Sequence, residues 1–527
     1  MEINSYSYPK YINLVKYYEE NKDKPIEEWL KFNTLLDKPG KQGIVGLFDN
    51  NDGEQYIFKI SQYINYLVYH ELIVMQGLKN INEYCPHFCK GIGLITCKVD
   101  AKYKKGDDNP FIIKNKYPID KEILLCEYID KSSKFYNYIR SNKVDENVLY
   151  SIVKQVLLAI AIAQKEKQFT HYDLHSFNVM IKKCDKDLVL LYKLDDDNQF
   201  CVPTLGYYPI IIDFGFSYIS DMNDGPLWSS LAHTDVGFMS DRFDWVADPK
   251  LFLVTVSGEI KDKRKSKKSK QFRRIIRNIF NPLTIDWESG WDEIEDLKGA
   301  TDYILELTDK HNKMSELFKD YDYYCIDLIQ TLIIIPLEDQ DTDKFDESYK
   351  TFIKEWLKIE REISNPFYNI YILKGIIDSA RNIRPLYFKK ESREKSIQLF
   401  RQDIYDVIGK VSKFCIPKNI HFEKFLCSLL VFAKCMEGKL YKIMNDRMKD
   451  KNKEYNKLPV KSIEEIYAII TTNIPDEYIY NNNTKILIID NVNKKNKLID
   501  NLPQQEIIYI NNLTHLARGC YINDGLF

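Results

Sequence analysis

The chain has 527 residues, 44% apolar and 29% charged, with 75 Lys and Arg against 77 Asp and Glu for a formal net charge of -2. That length exceeds what one hydrophobic core organises and predicts two or three domains. The near-neutral balance excludes a global attraction to nucleic acid or an anionic membrane, so any electrostatic partner must be recruited locally.

Eleven cysteines without a CxxC pair read as reduced thiols of a cytosol-like compartment. The stretch MEINSYSYPKYINLVKYYEE lacks an apolar leader, and apolar runs such as Leu332 to Leu337 are far too short to span a bilayer, so neither secretion nor membrane insertion is expected. The abundance of Lys, Asn, Ile and Tyr is that of an AT-rich genome, such as that of a large DNA virus or a parasite. The expected location is cytoplasmic, meaning host cytoplasm or virion for a viral source.

Residues 1 to about 34 read as a helical, aromatic extension whose Trp29 and Phe32 pack on the sheet expected next along the chain. LLDKPGKQGIVGLFDNNDGEQYIFKI then alternates apolar residues around Gly40, Gly43, Gly46 and the turn Asn51-Asp52-Gly53, which predicts a twisted antiparallel sheet. In QYINYLVYHELIVMQGL, Leu67, Val68, Leu72, Met75 and Leu78 stand at helical spacing. Glu71 falls on that same face and needs an inward partner. ILLCEYI, from Ile123 to Ile129, reads as a buried strand, and Asp145 to Gln164 as a long buried helix. After Pro249 the pattern is largely helical to about residue 450, and the last seventy residues hold two strand-like runs, KILIID and EIIYI. Between Lys261 and Arg277, KDKRKSKKSKQFRR concentrates positive charge without an apolar stripe until Ile275. It predicts a solvated exposed loop, with a docking patch for substrate, nucleic acid or a virion component as the alternative.

Phosphoryl transfer from ATP needs a cover over the phosphates, a cation on them, oxygen ligands for magnesium and a base at the acceptor hydroxyl. Each has a candidate in one order along the chain. Gly43 to Phe48 fits a glycine-rich hairpin whose backbone N–H groups can approach phosphate oxygens, with plain structural turns as the alternative. Lys59, in the apolar run YIFKI, is either an edge-strand lysine reaching to water or the counter-charge of Glu71, twelve residues on. In HYDLHSFN, Asp173 can face an acceptor hydroxyl while Asn178 ligates magnesium. Asp213, in IIIDFG, leaves a buried strand beside Gly215 as the main metal ligand. Turn-capping is the structural alternative for both aspartates.

The ordered set of Gly loop, Lys, Glu, HxDLxxxN and DFG resembles the eukaryotic-type protein kinase superfamily over about residues 35 to 255, in particular its atypical haspin-like and giant-virus serine/threonine members. The resemblance implies an α+β, bilobal fold: an N-terminal helical extension over 1–34, an N-lobe over 35–126, an enlarged helical C-lobe over 127–420 with the basic insert near 261–277, and a C-terminal extension over 421–527. It implies ATP and Mg²⁺ as cofactors, with Gly40, Gly43, Gly46, Lys59, Cys126 as gatekeeper and Glu127, Tyr128 and Ile129 as adenine-binding hinge on the nucleotide. Asn178 and Asp213 would hold the metal, and Asp173, Lys59, Glu71 and His175 would carry the chemistry. Asp248 is similar to the buried aspartate that braces the catalytic loop.

The departures are informative. Tyr172 stands where arginine is usual and no A-P-E follows, so control by activation-loop phosphorylation is not expected. Gly40 is one residue out of register. His175 replaces the usual lysine, either as packing or as a contact to acceptor or γ-phosphate. The expected activity is phosphorylation of protein serine or threonine, with no membrane partner and with nucleic acid a partner only through the basic insert. A small-molecule phosphotransferase and a non-catalytic kinase-like scaffold are the rivals.

Overall fold

The structure, a computed structural model, describes residues 3–36, 43–61, 66–100, 109–114, 119–141, 145–221, 243–283, 452–500, 502–505 and 507–508. Gly40, the segment 222–242 and the helical pattern expected across 284–451 lie outside these residues. The fold is of the α+β class.

Helix α1 (Ile3–Asn21) buries Tyr11, Leu14 and Tyr18, whose spacing of three and four residues puts them on one face. Tyr11 Oη donates to Gly91 O (3.0 Å) and Tyr18 Oη to Leu94 O (2.9 Å), while Tyr56 Oη donates to Leu14 O (3.0 Å). These bonds fix the helix on an antiparallel sheet of β1 (Leu30–Leu35), β2 (Gly43–Asn50), β3 (Gln55–Ser61), β4 (Gly91–Val99) and β5 (Ile119–Glu127), in the order β1-β2-β3-β5-β4. A Cβ on Gly93 would lie 2.2 Å from the Tyr18 ring, so glycine there is what lets α1 lie close on β4. The sheet begins at Leu30, inside the stretch expected to be helical, because α1 ends at Asn21 and the alternating run LKFNTL pairs with β2. Trp29 is buried, and Phe32 packs 6.1 Å from the Phe58 and Phe111 rings. Helix α2 (Tyr66–Gly77), followed by the short α3 (Lys79–Asn82), covers β3, β4 and β5.

Beyond β5 come β6 (Ser132–Lys134), α4 (Phe135–Arg140) and α5 (Glu146–Lys167). Asp145 caps α5 by accepting from Asn147 N (2.9 Å), and Gln168 ends it in the left-handed region at φ 46°. Contrary to expectation, α5 is long and apolar enough to cross a membrane by composition, yet 89% of its most apolar window is buried inside the protein. It is the central core helix.

Strands β7 (Val179–Lys183) and β10 (Tyr207–Ile211) join β6 in a three-stranded antiparallel sheet. A four-stranded sheet combines the hairpin β8 (Leu188–Lys193) and β9 (Gln199–Pro203) with β11 (Lys485–Asp490) and β12 (Lys495–Ile499). There β11, the expected strand KILIID, pairs parallel to β8 from Lys485↔Leu188 to Asp490↔Lys193. Helices α6 (Ala247–Lys263), α7 (Lys267–Phe280) and α8 (Ile463–Asn473) complete the body, with Ile463, Ile466, Tyr467 and Ile470 of α8 in the same core cluster as α5.

Three further expectations are corrected. The basic run is not a loop: it forms the end of α6 and most of α7, where Ser266 caps the helix and Phe272, Ile275, Ile276, Ile279 and Phe280 are buried. The charges obscured an apolar stripe whose residues stand mostly in the helix's second half. EIIYI is not a strand over the part described, since Ile507 and Ile508 are helical and the second terminal strand is β12. Cys85, Cys89, Cys97, Cys126 and Cys184 are free thiols, but Cys201 is disulfide-bonded, so the reduced set is not uniform.

Candidate active site

Lys59 sits on β3, an interior strand, opposite Val45 of β2 and Leu124 of β5. An edge position is thereby ruled out. Its ammonium lies 2.7 Å from Glu71 Oε2 on α2 and 2.6 Å from Asp213 Oδ1 just after β10. The expected ion pair is present, and Asp213 joins it. Glu71 Oε1 also accepts from Phe214 N (3.2 Å). Asp213 has φ 69°, the left-handed region that non-glycine residues adopt at a cost, and the bond to Lys59 helps to hold it there.

One cation between two carboxylates leaves excess negative charge in a place only partly open to water. Burial disfavours the ammonium of Lys59, but Asp213 and Glu71 outweigh it and hold its pKa above the ordinary lysine range. Burial raises Asp213 as well, yet Lys59 prevails and its carboxyl is lowered. Glu71 goes the other way: burial wins over Lys59 and its pKa is raised.

The loop after α5 is held from behind by α6. Asp248, fully buried in the first turn of that helix, accepts from His171 N (2.7 Å) and Tyr172 N (2.9 Å). That grip stabilises Tyr172 at φ 61°. The bracing expected of Asp248 is thus seen directly. His171 Nε2 meets Ile212 O at 3.0 Å, linking this loop to the residue before Asp213, and Ile212 N donates to Asn178 O (3.0 Å).

Asn178 Nδ2 donates to Asp173 O (2.9 Å) and Oδ2 (3.0 Å), and His175 Nε2 lies 3.3 Å from Asp173 Oδ1. Burial lowers the His175 pKa, but the Asp173 carboxylate outweighs it and the net shift is upward. Among the described residues the Asn178 amide oxygen and Asp213 Oδ2 take no hydrogen bond, so each leaves one oxygen for a metal. No cluster of three or more His, Cys, Asp or Glu suited to a metal occurs among the described residues. A magnesium ion that draws most of its ligands from phosphate and water does not require one.

The other predicted positions are less committed to one site. Gly43 and Gly46 lie in β2. A Cβ on Gly46 would stand 2.5 Å from the Phe58 ring and 2.6 Å from Thr34 O, so packing alone demands glycine there. Cys126 is buried with its Sγ 3.9 Å from Met75 Sδ. The Glu127 carboxylate accepts from Lys90 Nζ (3.0 Å) and Lys90 N (3.1 Å). Tyr128 and Ile129 line a cleft with Lys10, Tyr11, Lys182 and Tyr208.

Sequence reasoning missed Glu259. Its Oε1 accepts from Ser176 Oγ (2.6 Å), its Oε2 is buried without a partner, and burial pushes its pKa up to about 6. The signal was available: eleven residues after Asp248 is three helical turns, the same face of α6. Phe177, half-exposed, was also missed, and its ring stacks 3.9 Å from that of Tyr136 beside His175.

No family model matches the chain. It is 31% identical over 487 residues to "Uncharacterized protein 098R" of Invertebrate iridescent virus 6, covering 82% of this chain and 80% of that protein. It is 26% identical over 414 residues to "Uncharacterized protein 038R" of Invertebrate iridescent virus 3, covering 75% of each. A shorter match, 29% over 159 residues and 30% of this chain, is to "Probable kinase 098L" of Invertebrate iridescent virus 3, of which it covers 28%. These are viral proteins. The chain belongs to the iridescent virus protein family that includes 098R.

Proposed function

We propose that the chain has a bilobal, protein-kinase-like fold and transfers the γ-phosphoryl group of ATP, with Mg²⁺, to serine or threonine hydroxyls of proteins. The observation that carries this reading is the meeting of Lys59, Glu71 and Asp213 at 2.6 to 2.7 Å, joined through His171 and Ile212 to the loop that pairs Asp173 with Asn178. The name of the partial relative, a probable kinase, points the same way. On this reading the five-stranded sheet with α2 is the N-lobe and the body around α5 the C-lobe.

Asn178 and Asp213 are the residues that would hold magnesium, whose chemistry is to neutralise charge developing on the phosphates. Lys59, aligned by Glu71, supplies a fixed positive charge for phosphate oxygens. Asp173 accepts the proton of the acceptor hydroxyl as its oxygen bonds to phosphorus and the bond to the ADP oxygen breaks. Since the Glu127 carboxylate is taken by Lys90, adenine would be met by the backbone of residues 127–129. Glycines 43 and 46 would serve the phosphates through β2.

One observation favours a second reading. His175 beside Asp173 puts a second proton carrier at the acceptor position, as a small hydroxylated substrate could use. Transfer of label from γ-labelled ATP separates the two, using a proteome extract and a metabolite pool beside an Asp173→Ala control. Label in proteins, lost in the variant, is expected; label only in metabolites selects the second reading, and none in either favours a scaffold.

A further inference from the structure

Helix α7 is sharply two-sided. At 3.6 residues per turn its buried Phe272, Ile275, Ile276, Ile279 and Phe280 fall on one side, while Lys267, Lys270 and Arg274 stand exposed on the opposite side. Lys263, exposed at the end of α6, extends that row. None of these four has an ion-pair partner among the described residues, and the acid within 261–277 is the exposed Asp262. The neighbouring cations are already engaged: Lys268 pairs with Glu477, and Arg264 donates to Ile139 O and Ser141 O. In a chain of net charge -2, such a row is a local concentration of charge on a fixed surface.

We propose that this face binds the phosphate backbone of nucleic acid without sequence preference. Three features select that partner. Successive cations on α7 rise about 5 Å along the helix, a spacing that long side chains match to a strand carrying one charge per roughly 3.4 Å. The apolar face of α7 is spent on the core, so the helix cannot lie in a bilayer interface as an amphipathic anchor does. No exposed large hydrophobic residue lies within 261–283, so the face offers a protein partner no apolar anchor, only charge. The face runs away from the candidate active site: Asp248 grips the loop from the first turn of α6, whereas Lys263 ends that helix one turn beyond Glu259 and the other three cations lie on α7.

The test is fluorescence anisotropy of a labelled 20-base-pair duplex with the full chain across a salt series. A variant with Lys263, Lys267, Lys270 and Arg274 all changed to Gln is compared with a control in which the exposed Lys79, Lys131, Lys186 and Lys495 are changed to Gln. Wild type and control should bind alike. The α7 variant should lose about ten-fold or more in affinity at low salt, and its salt slope should shrink by about three to four, one unit per lost phosphate contact. Its melting temperature should hold, since the replaced side chains are exposed. No duplex binding by wild type, equal losses in both variants, or tighter binding to polyglutamate or phosphatidylserine vesicles than to duplex would overturn the proposal. None of these readouts depends on phosphoryl transfer.

Discussion

Two inward-facing lysines of this protein have opposite charge arithmetic. Lys154, in the middle of α5, is fully buried and donates to Asp476 Oδ1 (2.7 Å) and Ile474 O (2.8 Å), one cation to one carboxylate with a carbonyl completing its shell. Lys59 stands between Glu71 and Asp213, one cation to two carboxylates, with Asp173 and its histidine nearby. The first site is closed: it fastens the segment after α8 to the core helix. The second is left negative, and among the described residues Asp213 Oδ2 and the nearby Asn178 amide oxygen take no hydrogen bond. A charge imbalance of this kind has no structural advantage, since an unpaired ion away from water costs free energy, and on the proposed reading it is where magnesium and the phosphates of ATP would bind. Lys154 is wholly buried and the Lys59 side chain is 16% exposed, but it is the count of carboxylate partners that separates the two sites.

The sharpest way to break the comparison is to neutralise the two aspartates of the open site. Asp173→Asn should lower turnover by roughly two to four orders of magnitude, the range for a lost general base, while Mg-ATP affinity stays within about a few-fold. Asp213→Asn should weaken Mg-ATP binding as well as transfer. Calorimetric titration beside single-turnover transfer distinguishes the patterns, and near-normal turnover of Asp173→Asn would move the scaffold reading ahead.

The closed site should fail as structure instead. Lys154→Ala leaves Asp476 without its cation and is expected to cost about 3 to 5 kcal/mol of stability. Chemical denaturation of the full chain would measure it; a loss below about 1 kcal/mol would show that the segment after α8 is not fastened there.

Glu259 gives a pH-dependent effect of intermediate size. Its folded pKa, about 6, lies above the ordinary glutamate value. The stabilisation is therefore complete below the unfolded pKa and is lost as pH rises through about 6, a change of about 2 kcal/mol. Glu259→Gln should remove that component from denaturation curves taken at pH 5 and pH 7. An unchanged pH dependence would show that Glu259 titrates normally.

The smallest effect is the most diagnostic of charge imbalance. Glu71→Gln leaves Lys59 paired with Asp213 alone, and because burial raises the Glu71 pKa, its ionised form is a burden at neutral pH. Stability should hold or rise by up to about 1 kcal/mol while transfer falls, the usual opposition between stability and activity at a functional site. A loss as large as that of Lys154→Ala would erase the distinction between the two lysines.

The sequence by itself determined whatever repeats or marks itself locally. The 3.6-residue period of α2 and α5 was legible, and so were the alternation and turn of β2 and β3. The inward Glu71 and the residue order from Lys59 through Asp173 and Asn178 to Asp213 could be read because the phosphoryl transfer proposed for them would place those side chains on short stretches.

Tertiary structure decided who meets whom. Nothing in KILIID specifies β8 as its parallel partner nearly three hundred residues earlier, and nothing near Lys154 announces Asp476. Asp213's place in the Lys59 cluster depends on β10 ending against β7, and Glu259's on α6 crossing behind the loop. In α7 the local signal even pointed away from the answer, because charge dominated the reading until the core claimed five apolar side chains. Periodicity is a property of neighbours along the chain, whereas pairing is settled by closing long loops into one shared core, where burial makes each charge find its counterpart.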